Sequence, residues 1–98
     1  MKKLKFPESI PVAGQKYMVY VGADLRSVPA LCWGYVQPDE RSIYFCDEFP
    51  DGRAMLTTYW HEVLHAICYE YGVELDDKDT DRVAQGMTQA FLALMEAE

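Results

Sequence analysis

The stretch from Asp51 to Gly72, DGRAMLTTYWHEVLHAICYEYG, decides how the rest of the chain is read. Leu56, Trp60, Val63, Ile67 and Tyr71 recur at spacings of three and four, the period of a helix with one buried face. Asp51 is placed to cap its first turn, because a carboxylate oxygen accepts from the backbone N–H groups left over there. Gly72 is placed to end it, since glycine enters the left-handed conformation without a Cβ penalty. Inside this predicted helix lies His61-Glu62-Val63-Leu64-His65, and these are the chain's two histidines.

Residues four apart on a helix of about 3.6 residues per turn stand one above the other, so His61 and His65 can direct both imidazoles to one point. Zinc takes imidazole nitrogen, and a catalytic zinc keeps one position open for water. Glu62 sits about 100° round the helix, where its carboxylate can accept a proton from that water, acidified by zinc to a pKa of about 7. The pattern points to Zn2+ held by His61 and His65, with Glu62 as general base. Two unconnected helix histidines satisfied within a core are the plainer reading. The apolar face opposite the pair weighs against it.

A zinc site needs a third protein ligand. A second helix is predicted from about Asp77 to the C-terminus, with Val83, Met87, Ala90, Phe91 and Leu94 on its inner face. Antiparallel packing would bring its acidic start, Asp76-Asp77-Lys78-Asp79-Thr80-Asp81, opposite the end of the first helix. Asp81 is the first candidate and Asp77, one turn earlier, the second. Carboxylates also gather at helix starts simply to complement the dipole. Cys68 is the sulfur competitor, but its place on the motif helix makes a cramped ligand, and a small buried hydrophobe fits it better.

Ahead of the helices the chain reads as strands. Lys16 to Val21 alternates, with Tyr17, Val19 and Val21 on one side and Met18 and Tyr20 on the other. Leu31 to Val36 and Ser42 to Cys46 flank Gln37-Pro38-Asp39-Glu40-Arg41, which predicts a hairpin about a Pro-Asp turn. Gly22 to Pro29 reads as loop. The expected fold is α+β: a small antiparallel sheet of about three strands packed against two C-terminal helices, one domain over residues 1–98.

Charge and composition narrow the function. The net charge of −7 falls from +3 over residues 1–30 through −3 over 31–60 to −7 over 61–98. An acidic chain without a basic stripe is poorly made to grip phosphates, so no nucleic-acid partner is expected. No apolar run approaches the ~20 residues of a membrane span. Lys2, Lys3 and Lys5 are followed by Pro7 and Glu8 where a signal peptide would be apolar. Cys32, Cys46 and Cys68 are odd in number and widely spaced, which fits reduced thiols and a cytoplasmic location.

Strands, then a helix carrying His61 to Ala66, then a final amphipathic helix resemble small phage and prophage HExxH proteins. These are similar to the minimal core of gluzincin and ImmA/IrrE-like zinc metallopeptidases. The order of elements matches over most of the chain, and His61 to Ala66 is the specific match. Ile43-Tyr44-Phe45-Cys46-Asp47 looks like the strand before the motif helix in that family, where it borders the cleft and pairs with extended substrate. The resemblance implies a zincin-like fold, zinc, hydrolysis of a peptide or protein substrate, and a carboxylate ligand from the following helix. Where relatives place Glu, this chain offers Asp81, one methylene shorter. Many such enzymes steady the oxyanion with a Tyr or His; here no third His exists, and Tyr69 and Tyr71 are near only in sequence. A zinc-dependent peptidase is therefore expected. The alternative is a catalytically inactive, zinc-stabilised binding or adaptor protein of phage or prophage origin.

Overall fold

A computed structural model describes residues 5–22 and 33–97. Its elements are β1 (Ser9–Val12), β2 (Gln15–Val21), β3 (Gly34–Gln37), β4 (Ser42–Phe45), α1 (Gly52–Tyr71) and α2 (Asp77–Glu96), with a 3-10 turn over Pro38–Glu40. The architecture is α+β, a four-stranded sheet packed against the two C-terminal helices. Residues 23–29 of the expected loop, Leu31 at the start of an expected strand, and Cys32 lie outside the described residues. No described helix is long and apolar enough to cross a membrane.

The sheet is mixed rather than antiparallel, in the order β1-β2-β4-β3. β1–β2 and β3–β4 are antiparallel, whereas β2 runs parallel to β4, with Val19 opposite Ile43 and Val21 opposite Phe45. Two hairpins laid side by side therefore make the sheet, and the central pair follows from how they meet. This arrangement also moves the strand expected to border a cleft. β4 is paired on both sides, and the edge beside the helices' groove is β3.

β1 is the strand missing from the sequence reading. Pro11 lowers its strand character but is tolerated because β1 is an edge strand. Ile10 and Val12 turn inward and are buried with Tyr17, Ile43, Phe45, Val63 and Ala66. Phe6 stacks on Phe45 with ring centroids 4.0 Å apart. The β1–β2 turn passes through Ala13 and Gly14 at φ 51° and 79°. Positive φ at both central residues is the twist that matches a two-residue hairpin, and alanine is a poor occupant of it. Ala13→Asn should stabilise the fold by about 0.5–1 kcal/mol. A urea midpoint that falls would show that the turn is held by its flanks instead.

Both helices begin and end by side-chain and backbone capping. Asp51 accepts from the Ala54 N–H at 2.8 Å, and Gly72, at φ 68°, closes α1. Asp76 accepts from the Asp79 N–H at 2.7 Å, which starts α2 at Asp77. On α1, Leu56 and Val63 are buried and Trp60 and Ile67 partly so, but Tyr71, the last residue of the helix, is 65% exposed.

α2 is rotated from the phase its hydrophobic residues indicate. Its buried residues are Thr80, Ala84 and Thr88, while Val83, Ala90 and Leu94 are exposed and Met87 and Phe91 are half-buried. The threonines can be interior because each hydroxyl donates to the carbonyl four residues back, Thr80 to Asp76 and Thr88 to Ala84, both at 2.8 Å. Small residues then let α2 lie close to α1, where Thr57 and Thr88 hydroxyls meet at 3.1 Å.

Candidate metal centre

The packing of α2 antiparallel to α1 brings three ligand atoms together. His61 Nε2 and His65 Nε2 are 3.0 Å apart, and Asp77 Oδ1 lies 3.1 Å from the first and 3.2 Å from the second. Ligand atoms of a tetrahedral zinc shell, each about 2.0–2.1 Å from the ion, stand roughly 3.3–3.4 Å apart. The observed triangle is within a few tenths of an ångström of that spacing, and its donors, two imidazoles and a carboxylate, suit zinc. Among the described residues no other His, Cys, Asp or Glu group meets in this way.

The carboxylate that closes the triangle is that of Asp77, where the sequence led first to Asp81. The reason is the register of the antiparallel pair. Advancing along α2 means retreating along α1, so the first residue of α2 faces both histidines and the next turn faces His61 and beyond. Asp81 Oδ1 stands 3.5 Å from His61 Nδ1, the ring nitrogen turned away from the triangle. Its other oxygen accepts from Gln85 Nε2 at 2.7 Å. A carboxylate in this position behind an imidazole is placed to bias the ring's tautomer and orientation. Cys68, half-buried on α1, contributes no atom to the cluster.

The electrostatics suit metal binding. Burial, and after it the neighbouring His61, hold His65 below the usual imidazole range, with Asp77 pulling the other way. His65 is thereby biased to the neutral form that a ligand requires. His61 and His65 side chains are 16% and 33% exposed, while Asp77 is 84% exposed, so the triangle faces solvent on its Asp77 side.

Glu62 is buried beside this triangle, at 7% exposure. Burial pushes its carboxyl up to about 7, with His61 lowering it and Asp77 raising it. What makes room for it is Gly34, the first residue of β3. A Cβ there would lie 2.8 Å from Glu62 Cγ, 3.0 Å from Thr58 Cγ2 and 3.1 Å from Glu62 Oε2. The sequence reading missed Gly34; a glycine opening a strand is the one signal that could have marked it. Gly34→Ala should cost about 1–3 kcal/mol of stability through this overlap. Urea unfolding tests this, and an unaltered midpoint would mean that β3 yields without cost.

The tyrosines considered from sequence do not join the site. Tyr69 donates to Asp39 at 3.4 Å, and Tyr71 is exposed at the end of α1. Another tyrosine binds the motif helix to the sheet: Tyr17 donates to Glu70 at 2.5 Å, and Arg41 reaches the same oxygen at 3.2 Å.

Comparison with models of known families, with curated proteins and with solved structures finds no match. What the site can do follows from its own residues.

Proposed function

We propose that this chain is a zinc-dependent peptidase in which His61, His65 and Asp77 hold the metal and Glu62 is the general base. The observation that carries the reading is the 3.0–3.2 Å triangle of Nε2, Nε2 and Oδ1 atoms, with a buried carboxylate on the adjoining helix position. When bound, zinc would supply a Lewis acid that polarises a carbonyl and acidifies a water. Glu62 would take the water's proton and return it to the departing amine. Glu62 is buried at the helix position next to His61, where its carboxylate can take up that proton and give it back. Gly34 and Thr58 pack against that carboxylate, and Asp81 lies 3.5 Å behind the His61 ring, at Nδ1, where it can favour the orientation that aims Nε2 at the metal.

The groove that Glu62 and His61 line, about 600 Å³ in volume, is large enough for a peptide segment. The test is peptide-library digestion by zinc-loaded protein, with and without a chelator. Cleavage that needs zinc supports the reading, and none at any zinc concentration overturns it. A second reading, a zinc-stabilised binding module without turnover, is favoured by Tyr69, whose hydroxyl is engaged by Asp39 rather than offered to an oxyanion. It expects zinc to raise stability while Glu62→Gln changes no function.

A further inference from the structure

The groove beside the triangle is lined by α1, by α2, and by Trp33 and Gly34. Among the described residues one cation lines it, Arg53, in the first turn of α1. Arg53 is exposed and makes no side-chain hydrogen bond or ion pair among the described residues. Arg41 and Arg82, by contrast, hold Glu70 and Asp79. The carboxylate next to Arg53 in the lining, Asp51, is engaged by the Ala54 N–H as the helix cap. The other charged liners among the described residues, Glu62 and Asp81, belong to the other end, at the motif. Between the ends the walls offer neutral hydrogen-bonding groups, Thr57, Gln85 and Gln89 among them. In a chain of net charge −7, a groove guanidinium that no described acidic residue engages calls for a partner.

We propose that this groove receives an extended peptide bearing a carboxylate, and that Arg53 grips that carboxylate. The proposal rests on the peptidase reading and names its substrate class. Arg53 precedes His61 by eight residues of helix, about 12 Å at roughly 1.5 Å per residue. An extended peptide covers that distance in three or four residues, at about 3.3 Å each. The carboxylate therefore lies three or four residues from the bond at Glu62, with the neutral amides and hydroxyls placed to meet the intervening backbone. A guanidinium fork recognises a carboxylate by two parallel hydrogen bonds, and a side chain or a free C-terminus supplies the same group.

The experiment uses zinc-loaded protein and labelled octapeptides of Ala and Ser, with Asp, Asn or Lys stepped through each position, each as free acid and as amide. Binding is read by fluorescence anisotropy and cleavage by mass spectrometry. Asp should bind about three- to tenfold tighter than Asn at one position. Arg53→Ala should bring that ratio to about one, and Arg53→Glu should turn the preference toward Lys. The charge reversal is compatible with folding, since Glu in a first turn complements the helix dipole. If a C-terminal carboxylate is the group held, the preference follows the free acid over the amide instead. Equal binding of Asp, Asn, Lys, acid and amide overturns the proposal, as does an acid preference that survives Arg53→Ala. Cleavage without acid preference removes this proposal and leaves the peptidase reading. Arg53-dependent binding without cleavage removes the peptidase reading and leaves the groove an acidic-peptide site. Neither binding nor cleavage overturns both.

Discussion

Glu62→Gln is expected to keep its zinc and to lower peptide hydrolysis by about 10²–10⁴-fold, the range over which a positioned base acts. Glutamine fills the same space beside Gly34 and Thr58, so the overlap that threatens Gly34→Ala does not arise. The substitution also removes a buried ionisable group, which gives it a second readout. In the metal-free fold the Glu62 carboxyl is raised from 4.5 to about 7 by burial. A raised pKa means that the folded state binds the proton more tightly than the unfolded one. Its contribution is complete below about 4.5 and is lost as pH rises through about 7. At pH 8 the wild type should therefore stand about 2–3 kcal/mol worse, relative to pH 4.5, than the glutamine variant does. Urea unfolding in chelator at the two pH values measures the difference. Hydrolysis at the wild-type rate would sink the role of Glu62 as base, and equal pH slopes would mean that its carboxylate is solvated.

What the sequence discloses of this fold and site is what is local. The limits of α1 and α2 follow from Asp51, Gly72 and the acidic run at Asp76 and Asp77, because capping is settled within a few residues. The β3–β4 hairpin is legible for the same reason, through Pro38 and Asp39. His61 and His65 are legible because one helical turn joins them. The parallel pairing of β2 with β4 is not local; it depends on how two hairpins meet, and no periodicity within either strand encodes it. Pro11 hid β1, whose place at the sheet edge is a tertiary fact. The phase of α2 was obscured by chemistry: Thr80 and Thr88 count as polar in a pattern, yet their hydroxyls are satisfied inside the helix and they are buried. That phase, together with the short turn before Asp77, decides which aspartate reaches both imidazoles. The contact between Gly34 and Glu62 joins residues far apart in sequence, and only the packing of β3 on α1 reveals it.

Dialysed protein is expected to carry one zinc, lost in His61→Ala, His65→Ala and Asp77→Ala, with Asp81→Ala weakening affinity by about 10–100-fold. The distinction between the two aspartates comes from geometry. Asp77 Oδ1 is within 3.2 Å of both Nε2 atoms, so its removal takes a ligand from the shell. Asp81 faces His61 Nδ1 at 3.5 Å, so its removal frees the ring to turn but leaves three ligands in place. Binding should also stabilise the fold, because His61 and His65 lie on α1 and Asp77 on α2, and no unfolded chain holds them together. Zinc at a thousand times its dissociation constant adds about 4 kcal/mol. In a domain of this size that is a rise in melting temperature of roughly 15–30 °C. Acid should reverse it, since His61 and His65 must be neutral to bind and protonation competes with the metal. Elemental analysis, isothermal titration and melting curves with and without zinc read all of these effects. Zinc lost on Asp81→Ala but kept on Asp77→Ala would transfer the third ligand to Asp81. No zinc on the parent protein, and no melting shift on adding it, would reduce the triangle to a polar contact that joins two helices.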